Sequence, residues 1–265
     1  MRLDRFVANN SGLSRKDATA AIRAGRVTVD GKPCRSASLA ITAAQCVALG
    51  QQRLTEPTAL YWMLNKPLGV VCANSDANHP TVFDLLDLNT VHPSQRHNLQ
   101  IAGRLDIDTT GLVLITSDGQ WNHNITSPNK AIGKRYRVTT EAPITRQAIA
   151  QLEAGIALRN EAKTTKPAKV IPLFKGEALK SDTLSRVALA GEGSYAASGN
   201  AAMPPITECL LEICEGKYHQ VKRMFAATGN KVIALHRESI ANICLDPTLE
   251  PGQYRPLTAQ EVAAD

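Results

Sequence analysis

Apolar positions near the start of the chain follow a helical period and then a period of two. Leu3, Phe6 and Val7 fall on one face of a helix. Ser14 stands where an N-cap is expected, with Asp17 three residues on. Ala18, Ala21 and Ile22 then give a second short helix its apolar face, and Gly25 supplies a left-handed stop. In "RVTVDGKP" the period drops to two at Val27 and Val29, and Asp30-Gly31 is the dipeptide of a tight type I′ hairpin. Residues 1–50 therefore read as a small unit of two helices and a little β structure. The polar, proline-containing stretch 51–58 reads as a linker.

From Ala59 onward the pattern is of a second, larger unit, 59–265. Strand-like runs are "LYWMLN", "VVCA", "LQIAG", "GLVLIT", "KRYRVTT", "CLLEIC" and "VIALH", with helical patterns at 145–154, 217–228 and 258–264. Turns, not helices, separate several of the strands. The fold class is α+β, with a mixed, largely antiparallel sheet flanked by helices. Residues 175–205, rich in Gly, Ala and Ser, read as a mobile surface insertion between two strands.

Composition narrows the classes. Of 265 residues, 43% are hydrophobic and 20% charged, enough apolar matter for a sizeable core. The net charge is +6, and it is uneven: residues 1–60 hold nine Lys/Arg against four Asp/Glu. Arg2, Arg15, Lys16, Arg23 and Arg26 lie on or beside the first two helices, a compact basic unit suited to an RNA backbone. "MRLDRFVANN" has no apolar signal core, and no run approaches the roughly 18 apolar residues of a membrane span, so a cytoplasmic protein with no membrane partner is expected. Six cysteines without CxxC spacing read as buried free thiols, and the six histidines form no metal-ligand pattern.

Three stretches could carry chemistry. In "GRLDIDTTGLVLITSDG" (103–119), Asp106 sits where a loop meets a strand built for burial, with Arg104 beside it. This suits a carboxylate held in a cleft, a turn carboxylate paired with Arg, or, with Asp108, a DxD metal site. In "EGKYHQVKRMFAATGN" (215–230), a helix would align Tyr218, Val221, Met224 and Phe225 as an apolar stripe and His219, Lys222 and Arg223 on the adjacent face. In "KRYRV" (134–138), alternation puts Lys134, Tyr136 and Val138 on one side and Arg135 and Arg137 on the other, and a tyrosine among basic residues can stack on a base.

Taken in this order, "GRLD…TTGL", "KRY" and "HQVKRMF", the chain resembles the pseudouridine synthases, specifically the branch with an N-terminal S4 RNA-binding domain. "MRLDRFVANN", "MLNKPLGVVC", "HPTVFDLL", "LHRESI" and "PGQYRPLT" extend the resemblance over nearly the whole length. The resemblance implies an S4-like domain at 1–50 and a synthase domain at 59–265. It also implies isomerisation, without any cofactor or metal, of one uridine in the decoding-side region of 16S rRNA. Asp106 would be the catalytic carboxylate and Tyr136 the aromatic partner of the base. Lys222, with Arg223 in reserve, would pair with the Asp, Leu245 would lie near the base, and Arg104 would hold the RNA where the base leaves the stack. Ala241-Asn242 departs from the Gly-containing pair that relatives often carry there. The substrate is expected to be a small-subunit assembly intermediate and the protein a monomer. The competing readings are a sister enzyme acting on 23S rRNA, a non-catalytic RNA-binding assembly factor, and a DxD metal-dependent transferase.

Overall fold

A computed structural model describes residues 1–42, 44–55, 57–173 and 206–263. The segment read as a mobile insertion, 175–205, lies outside the described residues.

The N-terminal unit opens with helices α1 (Leu3–Ser11) and α2 (Arg15–Arg23). Ser14 caps α2 by accepting a hydrogen bond from the Asp17 N–H at 3.1 Å, and Gly12 and Gly25 adopt left-handed conformations after the two helices. Strands β1 (Val27–Val29), β2 (Lys32–Cys34), β3 (Val47–Leu49) and β4 (Gln52–Leu54) form an antiparallel sheet in the order β2-β1-β3-β4. Both residues of the Asp30-Gly31 turn have positive φ, as a type I′ hairpin requires. Leu3, Val7, Ala18, Ile22, Val27 and Leu54 bury together between helices and sheet. The linker expected at 51–58 is thus shorter: Gln52–Leu54 pairs with β3 and Leu54 joins the N-terminal core, because a tight turn at Gly50 and Gln51 sets Leu49 opposite Gln52 and Leu54 opposite Val47.

The larger unit holds β5 (Tyr61–Lys66), β6 (Gln100–Ala102), β7 (Thr110–Thr116), β8 (Lys134–Thr140), β9 (Lys169–Leu173), β10 (Glu208–Ile213), β11 (Val232–Ile240), β12 (Ile243–Cys244) and β13 (Tyr254–Pro256). They make one mixed sheet with the path β13-β5-β7-β11-β8-β10-β9; β6 also pairs with β7, and β12 with β11. Every pairing is antiparallel except β7 with β11. Helices α3 (Pro93–Arg96), α4 (Gly119–Thr126), α5 (Arg146–Ala154), α6 (Gln220–Ala227) and α7 (Ala259–Val262) flank it. Strand β7 is apolar on both faces because both are covered. Val113 and Ile115 enter the main core, whereas Leu112 and Leu114 pack with Met63, Trp121 and Ile240 on the other side.

Some local expectations shift. "VVCA" forms no strand, only a single bridge from Val71 to Thr81, while α3, α4, β9, β12 and β13 were not anticipated. Of the cysteines, all free, only Cys72 and Cys209 are buried and Cys244 is exposed.

Candidate active site

Residues 103–109 connect β6 to β7, and their backbone is gripped from both sides by buried cations. Arg237, on β11 and fully buried, donates from Nε to the Leu112 carbonyl (2.8 Å), from Nη1 to Arg104 (3.3 Å) and from Nη2 to Gly103 (2.6 Å). Lys66, at the end of β5 and also fully buried, donates to the carbonyls of Pro67 (3.0 Å), Ile107 (3.4 Å) and Thr109 (2.7 Å). Among the described residues neither cation has a carboxylate within ion-pair distance, so carbonyl dipoles solvate both charges. Burial pushes the Lys66 ammonium below its usual value. The Gly69 N–H reaches the Ile107 carbonyl (3.0 Å), and the Leu105 N–H reaches the Cys72 sulfur (3.3 Å). Gly111 allows Arg237 to come this close: a Cβ there would lie 2.3 Å from the Arg237 carbonyl oxygen.

This cradle leaves the Asp106 side chain about one-third exposed and facing α6. Lys222 on that helix donates from Nζ to Asp106 Oδ2 at 3.2 Å and also to Asp108. His219 Nε2 lies 3.6 Å from Asp106 Oδ1. The two carboxylates that a DxD site would offer to a metal thus converge on an ammonium. At Asp108, burial raises the carboxyl pKa but the Lys222 hydrogen bond and charge outweigh it, and the net shift is downward.

Asp106 opens into a cleft of about 900 Å³. Tyr136, Ile213, Leu235 and Val221 give it an apolar floor and wall, with Lys134 and Cys72 at its side. Tyr136 is buried, and its strand alternates as expected. Lys134, Tyr136 and Val138 face inward, whereas Arg135 and Arg137 pair across the opposite face with Glu212 (3.2 Å) and Glu238 (3.1 Å). Burial lowers the Lys134 pKa, and the Arg237 charge adds to the effect; burial raises that of Cys72.

The other anticipated residues divide. Arg104 lines the cleft, and its exposed side chain forms no ion pair among the described residues. Arg223 points away from Asp106, to Glu161 (3.0 Å) and the Tyr218 carbonyl (3.1 Å). Leu245 lies outside the cleft, partly buried against the core on the other side of the sheet, because the Ala241-Asn242 turn folds β12 back along β11. Leu235 and Ile213 are among the aliphatic side chains that line the cleft instead. Helix α6 begins only at Gln220, since His219 takes a left-handed conformation (φ 47°). Tyr218 therefore leaves the apolar stripe and stands 76% exposed. In the N-terminal unit, Arg2 and Arg15 both reach the buried Asp4 (3.0 and 3.5 Å), while Lys16, Arg23 and Arg26 are exposed.

Lys66 and Arg237 were not singled out from sequence. Period-two burial at Leu235, Arg237 and Ser239, in a strand otherwise read as ending at His236, is the signal that marks Arg237 as pointing inward.

Residues 60–227 match a family model described as RNA pseudouridylate synthase, and residues 1–44 match the S4 domain. The chain is 43% identical to proteins named ribosomal small subunit pseudouridine synthase A from Salmonella typhimurium and from Escherichia coli K12. Each alignment covers 100% of this chain and 99% of the relative. A solved structure titled "Crystal structure of pseudouridylate synthase" is 41% identical, with a TM-score of 0.63, covering 100% of this chain and 99% of that one.

Proposed function

The chain belongs to the RNA pseudouridylate synthase family, and on that premise we propose that it converts one uridine of 16S rRNA to pseudouridine with Asp106 as the reacting carboxylate. The single observation that carries this is the Asp106 carboxylate, fixed by Lys222 at 3.2 Å and turned into a cleft floored by Tyr136. The reaction breaks the N1–C1′ bond, turns the uracil and joins C5 to C1′. The C5 proton leaves and N1 takes one up, so composition is unchanged and no oxidant is consumed. Asp106 acts at the ribose, either on the sugar carbon or on a ribose proton. The Lys222 ammonium holds the carboxylate in its reacting position. Tyr136 stacks on the uracil, returning about 1–3 kcal/mol of the few kcal/mol that unstacking the base costs. Arg104 contacts the phosphate beside the extruded nucleotide, and Ile213 and Leu235 contact the base edge.

The small-subunit target is supported by the names of relatives aligned over the full length. The S4-like unit supplies phosphate contacts, a small-subunit assembly intermediate is the substrate, and the enzyme works as a cytoplasmic monomer. No helix among the described residues is long and apolar enough to cross a membrane. Mass-spectrometric mapping of small- and large-subunit rRNA particles treated with the purified chain tests the reading. One new pseudouridine in 16S rRNA, formed equally well in EDTA, is expected. Modification confined to 23S rRNA would point to the sister activity, and loss of activity in EDTA to a metal at Asp106 and Asp108. No modification at all would leave an RNA-binding factor.

A further inference from the structure

We propose that the open face of Tyr218 is a stacking subsite for a nucleobase next to the uridine being modified, so that the cleft grips two neighbouring bases. The proposal rests on the reading of the cleft as a uridine site. Tyr218 is the most exposed of the large hydrophobic side chains among the described residues, at 76%, and it lines the cleft that contains Asp106. An aromatic ring left in water normally turns to cover itself; this one is held in place. One face stacks on the His219 imidazole, with centroids 3.8 Å apart and planes at 19°, which leaves the other face open.

The backbone beneath the pair is fixed as well. His219 has the left-handed φ of 47°, which an L side chain adopts when its surroundings impose it. The Tyr218 carbonyl accepts from Arg223 Nη1 at 3.1 Å. Lys217 and Arg223, on either side in sequence, both end on Glu161, at 2.9 and 3.0 Å. A single carboxylate thus clamps the segment that presents the ring. The stack begins beside the reacting group, since His219 Nε2 is 3.6 Å from Asp106 Oδ1. The unpaired Arg104 lines the same cleft, a cation placed for the phosphate between two nucleotides. A pre-ordered π face among cations matches a nucleobase better than an apolar protein patch.

The test is affinity and single-turnover pseudouridine formation on 16S rRNA, either intact or with an abasic nucleotide on one side or the other of the target uridine. Tyr218→Ala is expected to weaken binding on the order of tenfold, while Tyr218→Phe and Tyr218→Trp stay close to wild type. On the RNA lacking the stacked base, wild type and Tyr218→Ala should bind equally. Wild-type affinity in Tyr218→Ala, a loss in Tyr218→Phe as large as in Tyr218→Ala, or an undiminished penalty on both abasic RNAs would each overturn the proposal. If wild type forms no pseudouridine in 16S rRNA, the target reading fails separately. Oligouridine affinity then decides the subsite: Tyr218→Ala must still weaken it, and equal binding rejects the proposal.

Discussion

A guanidinium buried without a carboxylate must be solvated by something else, and at Arg237 that something is the loop carrying Asp106. Its three donors reach the Gly103, Arg104 and Leu112 carbonyls as a planar fork. A lysine offers a point charge that cannot span all three. Arg237→Met leaves buried carbonyls unpaired and is expected to cost about 3 kcal/mol or more in urea unfolding; Arg237→Lys should cost less, about 1–2 kcal/mol. In both variants single-turnover pseudouridine formation should slow even with RNA saturating, because Asp106 is no longer held against Lys222. Unchanged turnover in folded Arg237→Lys would show that the fork does not position the carboxylate. Lys222 acts differently, on the carboxylate itself: it is a partner of both Asp106 and Asp108.

Elements were legible where periodicity was strong and caps were local. Helices α1, α2 and α5, the Asp30-Gly31 hairpin and strands β7 and β8 follow from apolar spacing together with Ser14 and glycine signals. Asp106, Tyr136 and Lys222 stand out through their motifs, and the fold brings Asp106 against Lys222 and into one cleft with Tyr136. Lys66 and Arg237 do not stand out, because a charged residue reads as solvated until tertiary structure buries it and supplies carbonyls from distant segments. The exposure of Tyr218 is hidden for a related reason: its spacing fits the helical stripe, but the left-handed turn at His219 starts the helix later. The helical pattern at 258–264 appears as α7, but strand β13 (Tyr254–Pro256), which pairs with β5, was hidden, since ion pairs at Arg255 hold it more than periodicity does. Arg255 joins Asp246 (2.7 Å) and Glu261 (2.8 Å) there. Thr248 and Arg255 pull the Asp246 carboxyl to about 2, and Arg255 and Thr258 pull Glu261 to about 2. Both values lie below the ordinary ones. The stabilisation is therefore complete above about pH 4.5 and is lost as pH falls toward 2. Melting temperatures of wild type and Arg255→Met should differ at pH 7 and converge by pH 2; a gap that stays constant would contradict this.

At the scale of the whole molecule, charge and chemistry sit in different places. The N-terminal unit holds most of the excess positive charge, while the cleft with Asp106 belongs to the large sheet. Arg2 and Arg15 are committed to Asp4, whereas Arg5, Lys32, Arg35 and Arg53 are exposed without an ion pair among the described residues, and so are three cations expected to meet phosphate, Lys16, Arg23 and Arg26. Replacing these three with Ala should weaken RNA binding and lower the slope of log affinity against log salt by up to about 3, with single-turnover rates unchanged at saturating RNA. An unchanged salt slope would place the phosphate contacts elsewhere. The need for the Asp106 carboxylate is tested by a pseudouridine map of rRNA from cells lacking this protein, complemented by wild type or by Asp106→Asn. One 16S site is expected to disappear, wild type to restore it, and Asp106→Asn, made at the same level and with the same melting temperature, to leave it unmodified. Restoration by Asp106→Asn would show that the carboxylate is not the reacting group.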